Sequence, residues 1–300
     1  MSTLAFTKMH GAGNDFILFE ESALPCGLPN RAQWRRLSNR HTGIGFDQAL
    51  VLFQPRRPGT DVFYRIFNAD GGEVEQCGNG ARCVAEWLRL QGRAGQDGAL
   101  AMDSPAGLVH ARFGPAGQVA VDMGAPRFEA AALPFIPPAA QTTPAPASAP
   151  TFDAHPATPG DLPLHRLEID GRELEFAIAS MGNPHAVLFV DDIATAAVEQ
   201  IGPALQRHPA FPQSVNVGFL QILDPQHAKL RVYERGVGET LACGTGACAA
   251  VAVGRKAGRL AGDVEVALPG GVLRIRWAGP GEPVWMTGPA EVAFRGQVEL

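Results

Sequence analysis

Cys77-Gly78-Asn79-Gly80-Ala81 returns as Cys243-Gly244-Thr245-Gly246-Ala247, 166 residues further on (243 − 77). Each of these cysteines stands four residues after a glutamate, Glu73 and Glu239. Other short stretches return in the same order. Gly13-Asn14 is echoed by Gly182-Asn183 (182 − 13 = 169) and Pro105-Ala106-Gly107 by Pro269-Gly270-Gly271 (269 − 105 = 164). Met123-Gly124-Ala125-Pro126 is echoed, with one change of spacing, by Met286-Thr287-Gly288-Pro289 (286 − 123 = 163). An ordered series whose offset drifts only from 169 to 163 predicts a duplicated domain. Turn chemistry is the competing explanation, because Gly, Pro and Asn recur wherever strands turn.

Length agrees with duplication. A chain of 300 residues exceeds the size at which one core keeps growing, so two domains are expected. From Pro134 to Pro163 the composition shifts to Pro and Ala with Ser and Thr between them, which reads as a solvated loop, insertion or linker. That segment divides the chain into two parts of similar size. Phe16–Phe19, Gln48–Leu52, Val187–Val190, Leu230–Tyr233 and Val272–Trp277 are short apolar runs bounded by turn residues, so they predict strands. Ala81 to Leu90 is rich in helix formers and is followed by Gly92, whereas Ala247 to Lys256 is almost wholly apolar and predicts a helix buried on nearly every side. Each half then reads as strands wrapped around one central helix. The fold class is α+β, with two homologous domains.

Charge and composition exclude several roles. The formal net charge is −5, with no block of like charge, which argues against nucleic acid or an anionic membrane as partner. The N-terminus lacks a basic region followed by an apolar one, and no apolar run reaches the ~18 residues a membrane span needs. Five cysteines, an odd number in a chain this long, favour free thiols in a reducing compartment, so a cytoplasmic protein is expected.

Cys77 and Cys243 carry the chemistry. Each precedes a glycine-rich turn that opens a predicted helix, where outward N–H groups and partial positive charge bind carboxylates and favour a thiolate. Duplicated halves packed about a pseudo-twofold axis would bring two thiols to opposite faces of one small substrate. Inversion of a carbon stereocentre needs that pairing, since one base removes a proton and an acid on the other face returns one. No metal and no pyridoxal phosphate are required, and Lys8, Lys229 and Lys256 have no Schiff-base setting. Cys26, Cys83 and Cys248 read as small buried hydrophobes. The Cys spacing suits neither zinc nor a Cys-x-x-Cys redox pair, although a thiol redox or metal-binding protein remains the alternative from another class. Asn68, Asn216, Glu234 and Arg235 lie near the two turns. They are either turn and surface groups or binders of carboxylate and ammonium. His185 is either a turn histidine or a modulator of thiol charge.

These residues resemble a known family. His10-Gly11-Ala12-Gly13-Asn14-Asp15-Phe16, Asn68-Ala69-Asp70-Gly71 and Cys77 to Cys83 are similar to the N-terminal signatures of the diaminopimelate epimerases. Met181-Gly182-Asn183-Pro184-His185, Tyr233-Glu234-Arg235-Gly236 and Glu239 to Gly246 are similar to the C-terminal ones. The resemblance implies a cofactor-independent isomerase that interconverts LL- and meso-2,6-diaminopimelate in lysine and peptidoglycan synthesis. It also implies two mixed β-barrels, each around a central helix, with 1–128 and about 290–300 as one half and 129–289 as the other, and a homodimer. It carries Cys77 and Cys243 over as proton carriers, and Gly78-Asn79 and Gly244-Thr245 as the N–H groups holding the reacting carboxylate. Asn14, Gln48, Asn68, Asn183, Asn216, Glu234 and Arg235 would bind the other amino and carboxylate groups, with His185 and Glu234 setting thiol protonation. A proline or hydroxyproline racemase on the same fold is the nearer alternative, and it would not need Arg235 and the asparagines for a distal carboxylate.

Overall fold

The structure is a computed structural model and describes residues 3–24, 27–94, 98–137, 142–144 and 162–300. It divides into two compact units, Met1–Asp122 with Thr287–Leu300, and Met123–Met286. Cys26 and most of the Pro/Ala segment lie outside the described residues.

In the first unit, strands Thr3–Gly11 and Asn14–Glu20 form a hairpin with Gly11 opposite Asn14. Its two-residue turn puts Ala12 and Gly13 at φ 52° and 83°, the doubly left-handed geometry that matches strand twist. Asn14–Glu20 then pairs in parallel with Gln48–Phe53, which pairs antiparallel with Val62–Asn68. Val62–Asn68 runs parallel to Ala99–Ser104, which turns back antiparallel onto Gly107–Phe113.

The second unit repeats this order. Arg172–Ser180 and Pro184–Phe189 form the hairpin, and Pro184–Phe189 runs parallel to Asn216–Asp224. That strand is antiparallel to His227–Glu234, which runs parallel to Asp263–Leu268. Asp263–Leu268 then turns back antiparallel onto Gly271–Trp277. The sheets are mixed, and each parallel pairing requires a crossover.

Helices supply crossovers. α1 (Arg31–Ser38) and α2 (Gly78–Leu90) serve the first unit, α3 (Val198–Arg207) and α4 (Gly244–Lys256) the second. α2 and α4 are the central helices. Every residue of α2 from Gly78 to Leu88 is buried, as is almost all of α4 to Gly254. Small side chains let α4 lie this close to strands, while α2 buries the larger Arg82 and Glu86. No described helix is long and apolar enough to cross a membrane.

The sequence pattern predicts α2 and α4 but not α1 or α3. α1 has a signal, because Asn30 and Gln33 close a reciprocal capping box at its start. α3 hides its pattern behind an internal Pro203. Both central helices also begin three residues earlier than their predicted starts, taking the glycine-rich turns into their first turn.

Candidate active site

The cysteines are the helix N-caps. Cys77 and Cys243 hold extended backbone, at φ −144° and −113°, and neither side chain caps its helix. The first intrahelical bonds run from Ala81 N–H to Cys77 O and from Ala247 N–H to Cys243 O. The N–H groups of residues 78–80 and 244–246 therefore precede the helical ladder, next to the cysteines.

Space, rather than unusual backbone, requires the inner glycines. A Cβ on Gly80 would stand 3.0 Å from Leu50, and one on Gly246 would stand 3.0 Å from Val232 and 3.2 Å from the Cys243 sulfur. Gly246→Val should therefore destabilise the fold by ~1–3 kcal/mol through overpacking. Thermal unfolding measures this, and an unchanged melting temperature would refute it.

The glutamates four residues before each cysteine also acquire a role. Arg65 forks onto Glu73 at 2.7 and 2.6 Å, and Arg231 onto Glu239 at 2.6 and 2.7 Å. Each pair ties a short strand, Glu73–Val74 or Gly238–Thr240, to the longer strand before it and fixes the approach to the cysteine. The hydrogen bond from Arg65 holds the Glu73 carboxyl below its ordinary value.

Strand register assembles the polar residues of the first unit. Gln48 sits opposite Asn68 and beside Phe16, two residues past Asn14. Gln48 Nε2 donates to Asn68 Oδ1 at 2.9 Å, while Gln48 Oε1 is buried without a hydrogen-bond partner among the described residues. A buried acceptor left without a donor is costly and suits a ligand N–H. Asn14 Oδ1 lies 3.2 Å from Asn79 Nδ2, which donates to it, and 3.9 Å from the Cys77 sulfur.

In the second unit a chain of hydrogen bonds leads to Cys243. His185 Nε2 lies 3.0 Å from Asn183 Oδ1, Asn183 Nδ2 donates to Thr245 Oγ1 at 3.2 Å, and that hydroxyl lies 3.7 Å from the Cys243 sulfur. His185 thus reaches the sulfur through Asn183 and Thr245. Burial, aided by the Arg235 charge, pushes its pKa down to about 3, so its ring is neutral near pH 7.

Glu234 accepts from the Thr240 hydroxyl and faces the same sulfur. Burial first, and then the Glu234 charge, raise the Cys243 thiol well above its ordinary value, against the Thr245 hydroxyl and the Gly246 N–H. Desolvation here outweighs the helix N-terminus, which alone would favour a thiolate, so Cys243 keeps its proton at neutral pH. Cys83 and Cys248 are fully buried, and burial raises the Cys83 thiol. Such thiols are inert packing groups.

Asn216 is engaged at both ends by main chain, donating to Pro184 O at 3.1 Å and accepting from Arg235 N–H at 2.9 Å. It fixes the backbone from which the exposed Arg235 side chain extends, with one nitrogen 3.1 Å from Gln213 O. Two further polar residues of the site are not among those the sequence singles out. One is Thr240, and the other is Asp47, whose carboxylate accepts from Asn14 Nδ2 at 2.8 Å. Asp47 adjoins Gln48 in sequence, but only the pairing of strands sets it against Asn14.

This fold is that of several solved structures. A hydroxyproline epimerase from Agrobacterium vitis superposes with a TM-score of 0.65 over 100% of this chain and 93% of its own, at 16% identity. A Bacillus anthracis protein of the PhzF family gives 0.66 over the whole of both chains, also at 16%. At that identity the likeness speaks for the fold alone: two α+β domains.

Sequence defines the family more narrowly. The family model for diaminopimelate epimerase matches residues 6–129 and 177–293. The diaminopimelate epimerase of Stutzerimonas stutzeri is 48% identical over 299 residues, and that of Nitrosomonas europaea 48% over 297, each covering 99% of both chains. The chain belongs to the diaminopimelate epimerase family.

Proposed function

We propose that this protein interconverts LL- and meso-2,6-diaminopimelate by moving a proton at one α-carbon between two thiols. The carrying observation is that two cysteines, one in each unit, stand at the N-terminus of a buried central helix. In one direction of the reaction, Cys77 as thiolate takes the α-proton. The carbanion spreads its charge into the adjacent carboxylate, held by N–H groups at Gly78-Asn79 and Gly244-Thr245. Cys243, which keeps its proton at rest, then protonates the opposite face of the carbon. The sulfurs exchange roles in the reverse direction, and atoms balance without a cofactor.

Asn14, Gln48, Asn68, Asn183, Asn216, Glu234 and Arg235 recognise the remaining groups in this reading. The orphaned Gln48 oxygen supports it, as an acceptor for an ammonium. So does the exposed Arg235 guanidinium, which matches a distal carboxylate. His185 and Glu234 act on thiol protonation, and the hydrogen-bond chain and the Cys243 shift support those roles. Residues 1–128 with 290–300 and residues 129–289 are read as copies of one ancestral half. A cytoplasmic homodimer completes the reading.

Incubation of reduced protein with LL-diaminopimelate in heavy water, without added cofactor, tests the proposal. Formation of the meso isomer with deuterium at one α-carbon is expected. Folded, reduced protein that gives neither product would overturn it.

A further inference from the structure

The Asn14 carboxamide can face the Cys77 sulfur with its oxygen or with its NH2, and these have opposite effects on a proton held there. Its neighbours decide. Asn14 Nδ2 lies 2.8 Å from Asp47 Oδ2, and an ionised carboxylate only accepts hydrogen bonds. The NH2 must therefore point at Asp47, which leaves Oδ1 for Asn79 Nδ2 and the Cys77 sulfur.

Asp47 is itself held as an acceptor. Oδ2 also receives Asp15 N–H at 3.1 Å, Oδ1 receives Arg40 at 2.7 Å, and the Asp47 N–H donates to Asp15 Oδ1 at 2.9 Å. Arg40 forks onto Asp15 at 2.8 Å on both oxygens, and Lys8 adds a third contact at 2.6 Å. Burial alone would raise the Asp15 carboxyl. The bonds from Arg40 and Lys8 outweigh it and hold that carboxyl far below its ordinary value. Arg40 thus contacts both aspartates, and together with Lys8 it favours the ionised state of Asp15.

The counterpart residue, Asn183, is held differently. Its amide sits between a histidine nitrogen and a threonine hydroxyl, each able to donate or accept, so either orientation is chemically possible there. Of the two, only Asn14 has a partner that forbids the flip.

We propose that Asp47 is a positioning residue for proton transfer at Cys77: by fixing the Asn14 amide, it keeps an oxygen facing the sulfur to accept the S–H once the α-proton arrives. This rests on the epimerase reading above. The ion pairs around Asp47 also contribute to folding, so the test has to separate the amide from the charge network.

Asp47→Asn does so. Arg40 draws the new amide oxygen to itself, the new NH2 replaces Oδ2 and gives up the Asp15 N–H, and Asn14 turns its NH2 toward Cys77. The expected result is a fall in kcat of about tenfold or more, with KM changed less than about threefold. Arg40→Met leaves the Asp47 carboxylate in place, so it should lose melting temperature but keep kcat within about threefold. Alkylation of Cys77 by iodoacetamide, followed by peptide mass spectrometry across pH, supplies a readout that needs no substrate. Its midpoint should move to lower pH in Asp47→Asn and stay put in Arg40→Met.

An Asp47→Asn enzyme with wild-type kcat and an unshifted alkylation profile would overturn the proposal. Equal losses in both variants would also overturn it, assigning the effect to the ion network. Wild-type protein inactive on diaminopimelate would sink the epimerase reading, leaving the alkylation profile to decide the Asp47 role. Should Asp47→Asn fail to fold, Asp47→Ser is read in the same way.

Discussion

Replacing either Cys77 or Cys243 by alanine is expected to lower epimerisation of diaminopimelate by at least ~10²–10⁴-fold, the scale of a lost general acid or base. The loss should be as large for one cysteine as for the other. Inversion needs both faces of the α-carbon, and a single thiol serves one. The remaining thiol can still remove a proton and return it to the same face. Each variant should therefore exchange the α-proton of the one isomer, LL or meso, whose hydrogen faces the remaining thiol, without inversion. Proton NMR of the recovered substrate in heavy water separates exchange from inversion. Folding should survive: Cys77 is half-buried, and loss of the sulfur at buried Cys243 costs on the order of 1 kcal/mol. Near-wild-type inversion in either variant would rule out two thiols as the proton carriers.

Acid should unfold this protein through its buried histidines. The folded pKa of His185 lies at about 3, below the ordinary ~6.5. Between those values the unfolded chain binds a proton that the folded chain refuses, so stability rises with pH and is lost as pH falls from about 6.5 toward 3. The contribution is on the order of 4 kcal/mol. His165 acts in the same direction. Its ring is buried against Phe135 and Phe176, neither nitrogen has a hydrogen-bond partner among the described residues, and burial lowers its pKa. His185→Gln keeps a polar group for Asn183 and should flatten the pH dependence of stability while lowering it at pH 7. His165→Phe fits the aromatic cluster and removes two unsatisfied nitrogens, so it should flatten the slope while raising stability by ~1–3 kcal/mol. Urea unfolding at several pH values checks both. Variants whose slopes match the wild type would refute the assignment.

Much of this was legible in the sequence because the relevant signals are local. The repeated Cys-Gly-x-Gly-Ala stretches mark both central helices, since each leads into a run of helix formers or apolar residues. The strands predicted at Gln48–Leu52 and Leu230–Tyr233 appear as Gln48–Phe53 and His227–Glu234 because apolar runs and turn residues bound them closely. Glu73 and Glu239 were visible as a spacing without a reason. Their partners, Arg65 and Arg231, lie eight residues away across a hairpin, and a spacing alone does not reveal pairing across a turn.

Residue order alone was enough to show two halves with repeated motifs, each built on a helix that opens at a cysteine, because motif repetition and helix punctuation are local patterns. What surrounds each sulfur came only with the packed chain. Burial depends on the whole folded unit, which is why Cys243 holds its proton despite standing at a helix N-terminus. Amide orientation depends on register between strands distant in sequence, which is how Asp47, 33 residues from Asn14, sets which end of that side chain meets Cys77.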